Sequence, residues 1–273
     1  MDKRVGPYAI ERIAPSVWAV DTDADESLYL VCGSERAAVI DTGSASAPLL
    51  PLIRTLWSGP VELVLTHAHF DHMYHSGEFE KVSLGAAEKR AWKKTLAPIV
   101  WLSSAASGKR PRRYGVEGWR ALEEGDRIEL GDRSLRVLEA KGHTPGSIVL
   151  ADEADRLLFT GDAFGSGSYA WMWMPGCSPL SEYRESLRSL LARLEPYRDF
   201  RMLGGHRRQS VPTKADPYAG ELCYETAADM EALCAAILAG ELAPERSERN
   251  FGVKTCLYRR GRAAVVLTKA KIK

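Results

Sequence analysis

Hydrophobic and polar residues alternate in short runs over the first forty residues, and this pattern predicts a meander of β-strands. Turns rich in Asp, Gly, Ser and Glu separate the runs. A short helical stretch around Leu49–Trp57 follows, and then a continuous apolar run at Val61–Leu65 predicts a buried strand. The strands predicted before it are Tyr8–Ile13, Val17–Val20, Leu28–Cys32 and Ala37–Ile40.

The second half of the chain repeats this order of strands followed by helices. Apolar residues three or four positions apart predict a helix that has Ser178 as its cap and Pro179 in its first turn. A second amphipathic helix runs from Leu222 through Ile237 and ends at Gly240. The predicted strands of this half are Ile128–Leu130, Leu135–Glu139, Ile148–Leu150, Leu157–Phe159, Arg201–Leu203, Cys256–Tyr258 and Ala264–Leu267.

Two strand-rich halves, each followed by helices, predict an α/β fold arranged as a four-layer αββα sandwich. We interpret residues 1–273 as a single domain of this kind. The pattern becomes helical and irregular between residues 86 and 120, which indicates an insertion or lid. Residues 213–273 are predicted to form a C-terminal extension made of one helix and one hairpin.

The composition of the chain mainly excludes classes of function and location. Apolar residues make up 45% of the chain and charged residues 27%, which is typical of a globular protein with a buried core. The net charge of +1 provides no bulk attraction to nucleic acid, so a small-molecule partner is expected. No secretory signal is predicted in Met1–Val20, and runs such as Ala263–Leu267 are too short to span a bilayer. These observations favour the cytoplasm and no membrane contact; they do not indicate an oligomeric state.

Candidate chemistry is concentrated in one ordered series that contains five of the six histidines. Imidazoles and carboxylates are the ligands that suit zinc and neighbouring first-row metals. The spacing places His67 and His69 on one metal ion, and Asp71 and His72 on a second. Each member of the series follows a predicted strand or a tight turn, so residues distant in sequence can converge. The series is Thr66-His67-Ala68-His69-Phe70-Asp71-His72, Gly142-His143, Gly161-Asp162 and Gly205-His206.

These motifs, together with Asp41-Thr42-Gly43, resemble the metallo-β-lactamase superfamily, and its glyoxalase II-like hydrolases more than its antibiotic-degrading members. The resemblance covers nearly all of residues 8–210. It implies two zinc ions, with iron or manganese as alternatives. It also implies the ligand sets: His67, His69 and His143 for the first metal, Asp71, His72 and His206 for the second, and Asp162 as a bridge between them.

The bridging position separates branches of the superfamily. Branches that cleave β-lactams typically have a cysteine where this chain has Asp162. Flavodiiron-like proteins usually have a glutamate at the position of His69 and a flavodoxin domain downstream. Persulfide dioxygenases typically continue with Arg-Thr-Asp where this chain has Ala163-Phe164-Gly165. A glyoxalase II-like hydrolase is therefore the best match.

Two metals close together generate hydroxide near neutral pH and polarise an electrophile, so we predict hydrolysis of a carboxylic ester, thioester or lactone. Asp71 is the predicted catalytic residue, which orients the nucleophile and passes a proton. Asp41 either hydrogen-bonds a ligand histidine to fix its tautomer or only forms a turn. A phosphodiesterase with the same site and a di-iron redox or sensing protein are the alternatives.

Substrate contacts are predicted on both sides of the ligand series. The possible substrate-binding residues are Tyr74, His75, Tyr169, Trp171 and Trp173. Alternatively, His75 is an exposed helical histidine, and the two tryptophans only pack under a long loop. The aromatic residues favour an apolar acyl or aryl group. The basic clusters Lys109–Arg113 and Arg207-Arg208 favour an anionic group.

Overall fold

A computed structural model describes residues 3–110 and 112–273, whose strands form three sheets. Residues 1, 2 and 111 fall within the predicted domain, and residue 111 within the predicted insertion, but they lie outside the described residues. The strands are β1 (Lys3–Val5), β2 (Tyr8–Ala14), β3 (Val17–Asp21), β4 (Ser27–Cys32), β5 (Ala37–Ile40), β6 (Val61–Leu65), β7 (Val82–Gly85), β8 (Arg120–Leu122), β9 (Arg127–Glu129), β10 (Ser134–Glu139), β11 (Ile148–Asp152), β12 (Leu157–Gly161), β13 (Ala170–Trp171), β14 (Arg201–Gly204), β15 (Arg246–Asn250), β16 (Val253–Arg260) and β17 (Ala263–Leu267). The α-helices are α1 (Leu50–Leu56), α2 (Phe70–Met73), α3 (Ala86–Ala91), α4 (Ala97–Ala106), α5 (Leu180–Leu194) and α6 (Tyr224–Leu238), with a π-helical segment at Trp92–Leu96.

The first sheet contains β1 to β8 in chain order. Strands β1 to β5 pair antiparallel, whereas β5 to β8 pair in parallel because intervening segments return the chain to the same edge. Strand β6 lies between two parallel neighbours and is buried from Glu62 to Leu65, which explains its continuous apolar run. Its carboxyl end is therefore a central, rigid position from which to present side chains.

The second sheet has the order β14-β12-β11-β10-β9, and in it β12 and β14 are parallel. The third sheet has the order β13-β17-β16-β15, and we call it the appended sheet. The sequence predicted only the hairpin formed by β16 and β17. Strand β13 joins that hairpin in parallel, so the chain that follows Asp162 is tied to the C-terminal residues.

The layers pack as an αββα sandwich. Side chains such as Val64 from the first sheet and Phe159 from the second are buried together between the two sheets. Helices α1 and α4 cover the other face of the first sheet with residues that include Ile53 and Val100. Helix α5 covers the other face of the second sheet, with Leu187 buried there. The predicted fold class is confirmed, and the appended sheet is an addition to it.

Several predicted boundaries were wrong by a few residues. Pro179 is the N-cap of α5 rather than a first-turn residue, and Ser178 lies outside the helix. Leu222 precedes α6, which begins at Tyr224. The segment predicted as an insertion contains α3 and α4, but its end forms β8, a strand of the first sheet. The division into one domain with an insertion and a C-terminal extension stays a prediction.

The helices are short. The longest α-helices, α5 and α6, have 15 residues each. Within residues 3–110 and 112–273, no helix is both long enough and apolar enough to span a membrane.

Candidate metal centre

The side chains of the ligand series extend from the carboxyl ends of strands in both large sheets. His67, His69, Asp71 and His72 follow β6 of the first sheet, and His69 is the N-cap residue of α2. His143, Asp162 and His206 follow β10, β12 and β14 of the second sheet. The seven side chains meet where the two sheets open at the same edge, which is the usual place for a site in a mixed α/β sheet.

Three histidines form what we call the imidazole cluster: His67, His69 and His143, all of them buried. His67 Nε2 lies 3.1 Å from His69 Nδ1, and His143 Nε2 lies 3.0 Å from the same atom. The other ring nitrogens of His67 and His143 contact Thr66 Oγ1 at 3.1 Å and the Trp171 carbonyl oxygen at 3.0 Å. Because these contacts favour a proton on Nδ1, the Nε2 lone pairs of both rings point into the cluster.

Asp71, His72 and His206 form what we call the mixed cluster. Asp71 Oδ2 lies 3.7 Å from His72 Nε2 and 3.6 Å from His206 Nε2. Asp162 Oδ2 lies 3.6 Å from His72 Nε2, 3.4 Å from His206 Nε2 and 3.8 Å from His143 Nε2. The Asp162 carboxylate therefore lies between the two clusters, at the position that a bridging ligand requires.

The donor set fits divalent metal ions. Two nitrogens bound tetrahedrally to zinc at about 2.0–2.1 Å lie about 3.3 Å apart, which is close to the separations in the imidazole cluster. Among the described residues, His72 Nε2 is buried without a hydrogen-bond partner, although it faces two carboxylates. Leaving a buried polar atom unsatisfied costs about 1–3 kcal/mol, so coordination of an ion is a better account of this geometry.

The two clusters differ in charge. Burial lowers the pKa of each histidine in the imidazole cluster, that of His143 to about 4, so these rings are neutral near pH 7. Burial also lowers the pKa of His206, but attraction by Asp162 outweighs it and raises the value to about 9. Burial opposes ionisation of Asp162, yet His206 and His72 hold its pKa well below its usual range. Since ligands must be deprotonated, His72 and His206 would have to lose their imidazole protons in order to hold an ion.

Asp41 links the two clusters through hydrogen bonds. Its Oδ2 accepts hydrogen bonds from His72 Nδ1 at 2.9 Å and from Thr66 Oγ1 at 2.7 Å, and its Oδ1 accepts one from the Thr66 backbone N–H at 2.7 Å. Thr66 Oγ1 in turn accepts the His67 Nδ1 proton. Asp41 also has a φ of +60° at the end of β5, so it forms the turn as well. One carboxylate thus orients a histidine of each cluster.

Gly205 leaves room for the centre. A Cβ atom at this position would lie 2.5 Å from His72 Cε1 and 2.6 Å from Asp162 Oδ1. Both distances are too short for unbonded atoms, so any side chain here displaces a residue of the centre. Gly205 is not among the glycines with positive φ, so close approach of His72 and Asp162, and not backbone conformation, requires a glycine here.

The model of the family described as "Metallo-beta-lactamase superfamily" matches residues 22–206, which include both clusters, Asp41 and Asp162. The chain belongs to the metallo-beta-lactamase superfamily. Acyl-coenzyme A thioesterase MBLAC2 of Gallus gallus is 34% identical over 204 residues, which cover 66% of this chain and 72% of that relative. Hydroxyacylglutathione hydrolase of Rhodospirillum rubrum is 26% identical over 170 residues, which cover 62% of this chain and 59% of that relative.

Solved structures of the superfamily agree with the fold. The crystal structure of TTHA1623 in a di-iron-bound form aligns with a TM-score of 0.54 and 29% identity, covering 72% of this chain and 91% of that one. A structure of TMB-1 aligns with a TM-score of 0.55 over 85% of this chain and 98% of that one, but at 16% identity it supports the fold alone. The predictions of a metal-dependent hydrolase and of divalent metal binding are confirmed at this level.

Glu88, a fully buried residue of α3, was not predicted as part of the site. Its Oε1 accepts hydrogen bonds from the Ala68 backbone N–H at 2.9 Å and from Thr144 Oγ1. Ala68 lies between His67 and His69, and Thr144 follows His143, so Glu88 joins the two loops that carry the imidazole cluster. In the sequence, Glu88 stands beside Lys89 and Arg90 and looks like any exposed charge on a helix.

We expect Glu88→Gln to change how stability depends on pH. Burial raises the pKa of Glu88 from 4.5 to about 6, although its hydrogen bonds oppose this. The folded state therefore favours the protonated form, and the wild type loses stability as pH rises from about 4.5 to about 6. Over this range, the free energy of unfolding of the wild type should fall by about 2 kcal/mol relative to that of Glu88→Gln, since each pKa unit corresponds to about 1.4 kcal/mol.

The measurement is urea unfolding of metal-free wild type and Glu88→Gln over this pH range. Both proteins keep the same metal ligands, so titration of those ligands cancels in the difference. Glu35→Gln, at an exposed glutamate, is the control and is expected to track the wild type. A constant difference between wild type and Glu88→Gln at every pH would contradict the prediction.

The structure corrects the interpretation of His75. It is 2% exposed, so the expectation of an exposed helical histidine was wrong; α2 ends two residues earlier, at Met73. Its Nδ1 contacts Glu78 Oε1 at 2.6 Å and its Nε2 contacts the Ala45 carbonyl oxygen at 3.0 Å. Both ring nitrogens are occupied by the protein, so we also withdraw His75 as a substrate-binding residue.

The other predicted substrate-binding residues are all at least partly buried. Tyr74, two residues after His72, is 7% exposed and has the Arg112 guanidinium 4.1 Å from its ring centroid. Trp171 is half-buried, and its carbonyl oxygen accepts the His143 Nδ1 proton. Tyr169 and Trp173 flank it, at ring-centroid distances of 6.3 and 6.0 Å. Their contact with substrate stays a prediction.

Proposed function

We propose that this chain hydrolyses thioesters at two zinc ions. His67, His69 and His143 would hold the first ion, Asp71, His72 and His206 the second, and Asp162 both. The observation that carries the proposal is the position of Asp162 Oδ2, within 3.4–3.8 Å of nitrogens in both clusters. Relatives named as an acyl-coenzyme A thioesterase and a hydroxyacylglutathione hydrolase, both of which act on thioesters, support the substrate class.

When bound, two such ions activate water near neutral pH and polarise a carbonyl group. In our proposal Asp71 orients the attacking water and accepts its proton. The Asp71 side chain is 24% exposed and faces His72 and His206, so it has access to both the centre and solvent. Burial raises the pKa of Asp71, which suits a carboxylate that takes up and returns a proton. Water adds to the carbonyl carbon, the C–S bond breaks, and the thiol and the carboxylic acid depart.

The basic segment next to Tyr74 supports a substrate whose thiol part is anionic. Arg112 covers the Tyr74 ring, and its neighbours Lys109, Arg110 and Arg113 are also at least partly exposed. Arginine and lysine are the side chains that bind phosphate groups, as in the nucleotide part of coenzyme A. Arg207 is a different case, because it is paired with Glu11 and Asp21 and has a structural role.

The test combines elemental analysis with a substrate panel. Purified protein should contain about two equivalents of zinc, and it should hydrolyse an acyl-coenzyme A thioester with a higher kcat/KM than an aryl ester, a lactone or a bis-aryl phosphodiester. Protein treated with a chelator is the control and should regain turnover when zinc is restored. A phosphodiester as the best substrate would overturn the proposal and favour a phosphodiesterase.

One observation keeps iron as the second candidate metal. The structural relative TTHA1623 is described in a di-iron-bound form. Imidazole and carboxylate ligands also suit iron and manganese, and availability in the cell often decides which metal is bound. Two equivalents of iron, an absorption spectrum that changes with oxygen and no thioester turnover would favour a redox or sensing function instead.

The setting of this activity is also a proposal. We retain the cytoplasm as the compartment and a small-molecule thioester as the partner, in preference to nucleic acid. The near-zero net charge supports a small-molecule partner over nucleic acid.

A further inference from the structure

Four aromatic rings form a continuous row on the appended sheet, and we call it the aromatic row. Tyr169 and Trp171 stack at a centroid distance of 6.3 Å and an interplanar angle of 11°. Trp171 and Trp173 follow at 6.0 Å, and Trp173 and Phe251 at 6.1 Å and 27°. Phe251 belongs to the turn between β15 and β16, so the row joins the chain after Asp162 to a distant C-terminal hairpin.

The row contacts the metal centre through the backbone of Trp171, its second member. The Trp171 carbonyl oxygen accepts the proton of His143 Nδ1 at 3.0 Å, so this tryptophan directly adjoins the imidazole cluster. Along the row, Trp171 is half-buried, Trp173 is 9% exposed, and Phe251, in the turn of the hairpin, is 71% exposed. A molecule bound at the centre therefore has an apolar path that leads away from it.

The appended sheet has two distinct apolar faces. Cys256, Tyr258 and Val265 are buried in the core that includes α5 and α6. Leu257 and Val266 lie on the opposite face, in a small separate cluster with Trp173. Strand alternation puts these two sets on different sides of the sheet. The second face supports the aromatic row and contributes nothing to the core under α6.

Phe251 is a poor residue for its own turn. It has a φ of +47° and Gly252 a φ of +80°, and together they form the two-residue loop between Asn250 and Val253. Hairpin loops with positive φ at both positions favour Asn-Gly or Asp-Gly, whereas a bulky residue there is strained. An exposed phenylalanine is thus kept where asparagine fits better. Strain of this kind points to a function for the side chain itself.

We propose that the aromatic row binds the acyl chain of the thioester and that Phe251 sets the preference for long chains. This inference rests on the proposed thioesterase function. The residues of β15, β16 and β17 lie outside residues 22–206, the part matched by the superfamily model, so this chain adds its own acyl-binding surface to the shared centre. Short acyl groups reach only Trp171, whereas long ones extend to Phe251.

The experiment compares butanoyl and hexadecanoyl thioesters of coenzyme A in wild type and Phe251→Asn. We expect kcat/KM for the hexadecanoyl substrate to fall about tenfold, which is about 1.4 kcal/mol and matches the loss of contact with roughly two methylenes. The butanoyl value should stay the same. Because asparagine suits the turn, Tm should stay the same or rise by roughly 2–4 °C.

Two more variants and one binding measurement make the result specific. Phe251→Leu keeps an apolar side chain and should retain more of the long-chain activity, and Lys254→Ala, on the opposite face of the same hairpin, should match the wild type. Binding of the non-hydrolysable S-hexadecyl thioether of coenzyme A to metal-free protein, measured by calorimetry, should weaken about tenfold in Phe251→Asn, the same 1.4 kcal/mol.

The outcomes separate this inference from the function on which it rests. Absence of thioester turnover in zinc-loaded wild type would refute the proposed function. Thioester turnover that Phe251→Asn leaves unchanged, or reduces equally for both chain lengths, would refute the acyl-binding role alone. A shift in oligomeric state on size-exclusion chromatography, without a change in chain-length preference, would show that a second copy of the chain occupies the row.

Discussion

Asp162→Ala is expected to bind one metal ion fewer and to lose nearly all turnover, by at least roughly 10²–10³-fold, while the domain still folds. The reason is geometric, because Asp162 Oδ2 lies within 3.4–3.8 Å of the Nε2 atoms of His143, His72 and His206, and so faces both clusters. Its removal leaves the imidazole cluster intact but, if Asp162 holds both ions as we propose, would take an anionic ligand from each. The fold should survive because no core side chain is lost and because removal of the carboxylate also removes the attraction that raises the pKa of His72 and His206.

The measurement is metal content by elemental analysis, turnover with the best thioester, and circular dichroism of the same preparation. Asp199→Ala is the control, since Asp199 is an exposed partner of Arg156 far from the centre. Full activity with both ions retained would contradict the bridging role of Asp162. Loss of the circular dichroism signal would mean that the carboxylate is required for folding instead.

Asp41→Asn is expected to weaken metal binding about 10–100-fold with little loss of stability. Asparagine tolerates the φ of +60°, and its Oδ1 can still accept from the Thr66 backbone N–H. Its amide N–H₂, however, meets the His72 Nδ1–H and the Thr66 hydroxyl, both of which are donors in the wild type. The His72 ring then loses its anionic partner and its preferred tautomer.

Asp41→Ala provides the comparison. It leaves two or three buried polar groups unsatisfied, each costing about 1–3 kcal/mol, and it also strains the turn. Unfolding free energies and zinc affinities of both variants separate the two roles assigned to Asp41. If Asp41→Asn binds zinc as tightly as wild type, then the residue matters for the turn and not for orienting His72.

Much of the fold was predictable because local patterns encode it. The predicted strands Val61–Leu65 and Ala37–Ile40 have the observed bounds, since both are buried and their apolar runs are continuous. Strand β15 was missed, because Arg246–Asn250 is polar throughout and becomes a strand only by backbone pairing with β16. Strand β13 has two residues and depends on β17, which lies more than ninety residues later.

Local patterns in the sequence also predicted the ligands of the centre, whereas residues placed by long-range packing were missed. Histidines and aspartates in an ordered series indicated both clusters, because ligand type and spacing are local properties of the chain. Glu88 and His75 were not recognised, because their burial depends on packing against residues far away in sequence. Phe251 gave no signal either. Its neighbour Gly252 suggested a turn, but only the folded sheet brings its ring to Trp173.

The two large sheets supply the centre jointly, and this has a consequence for folding. His67, His69, Asp71 and His72 extend from the first sheet, and His143, Asp162 and His206 from the second. Each ion would therefore cross-link the two sheets at the edge where their ligands meet. A ligand that binds only the folded state stabilises it in proportion to the logarithm of its concentration over its dissociation constant. The supply of metal in the cell would then govern both the catalytic rate of the protein and its resistance to unfolding and proteolysis.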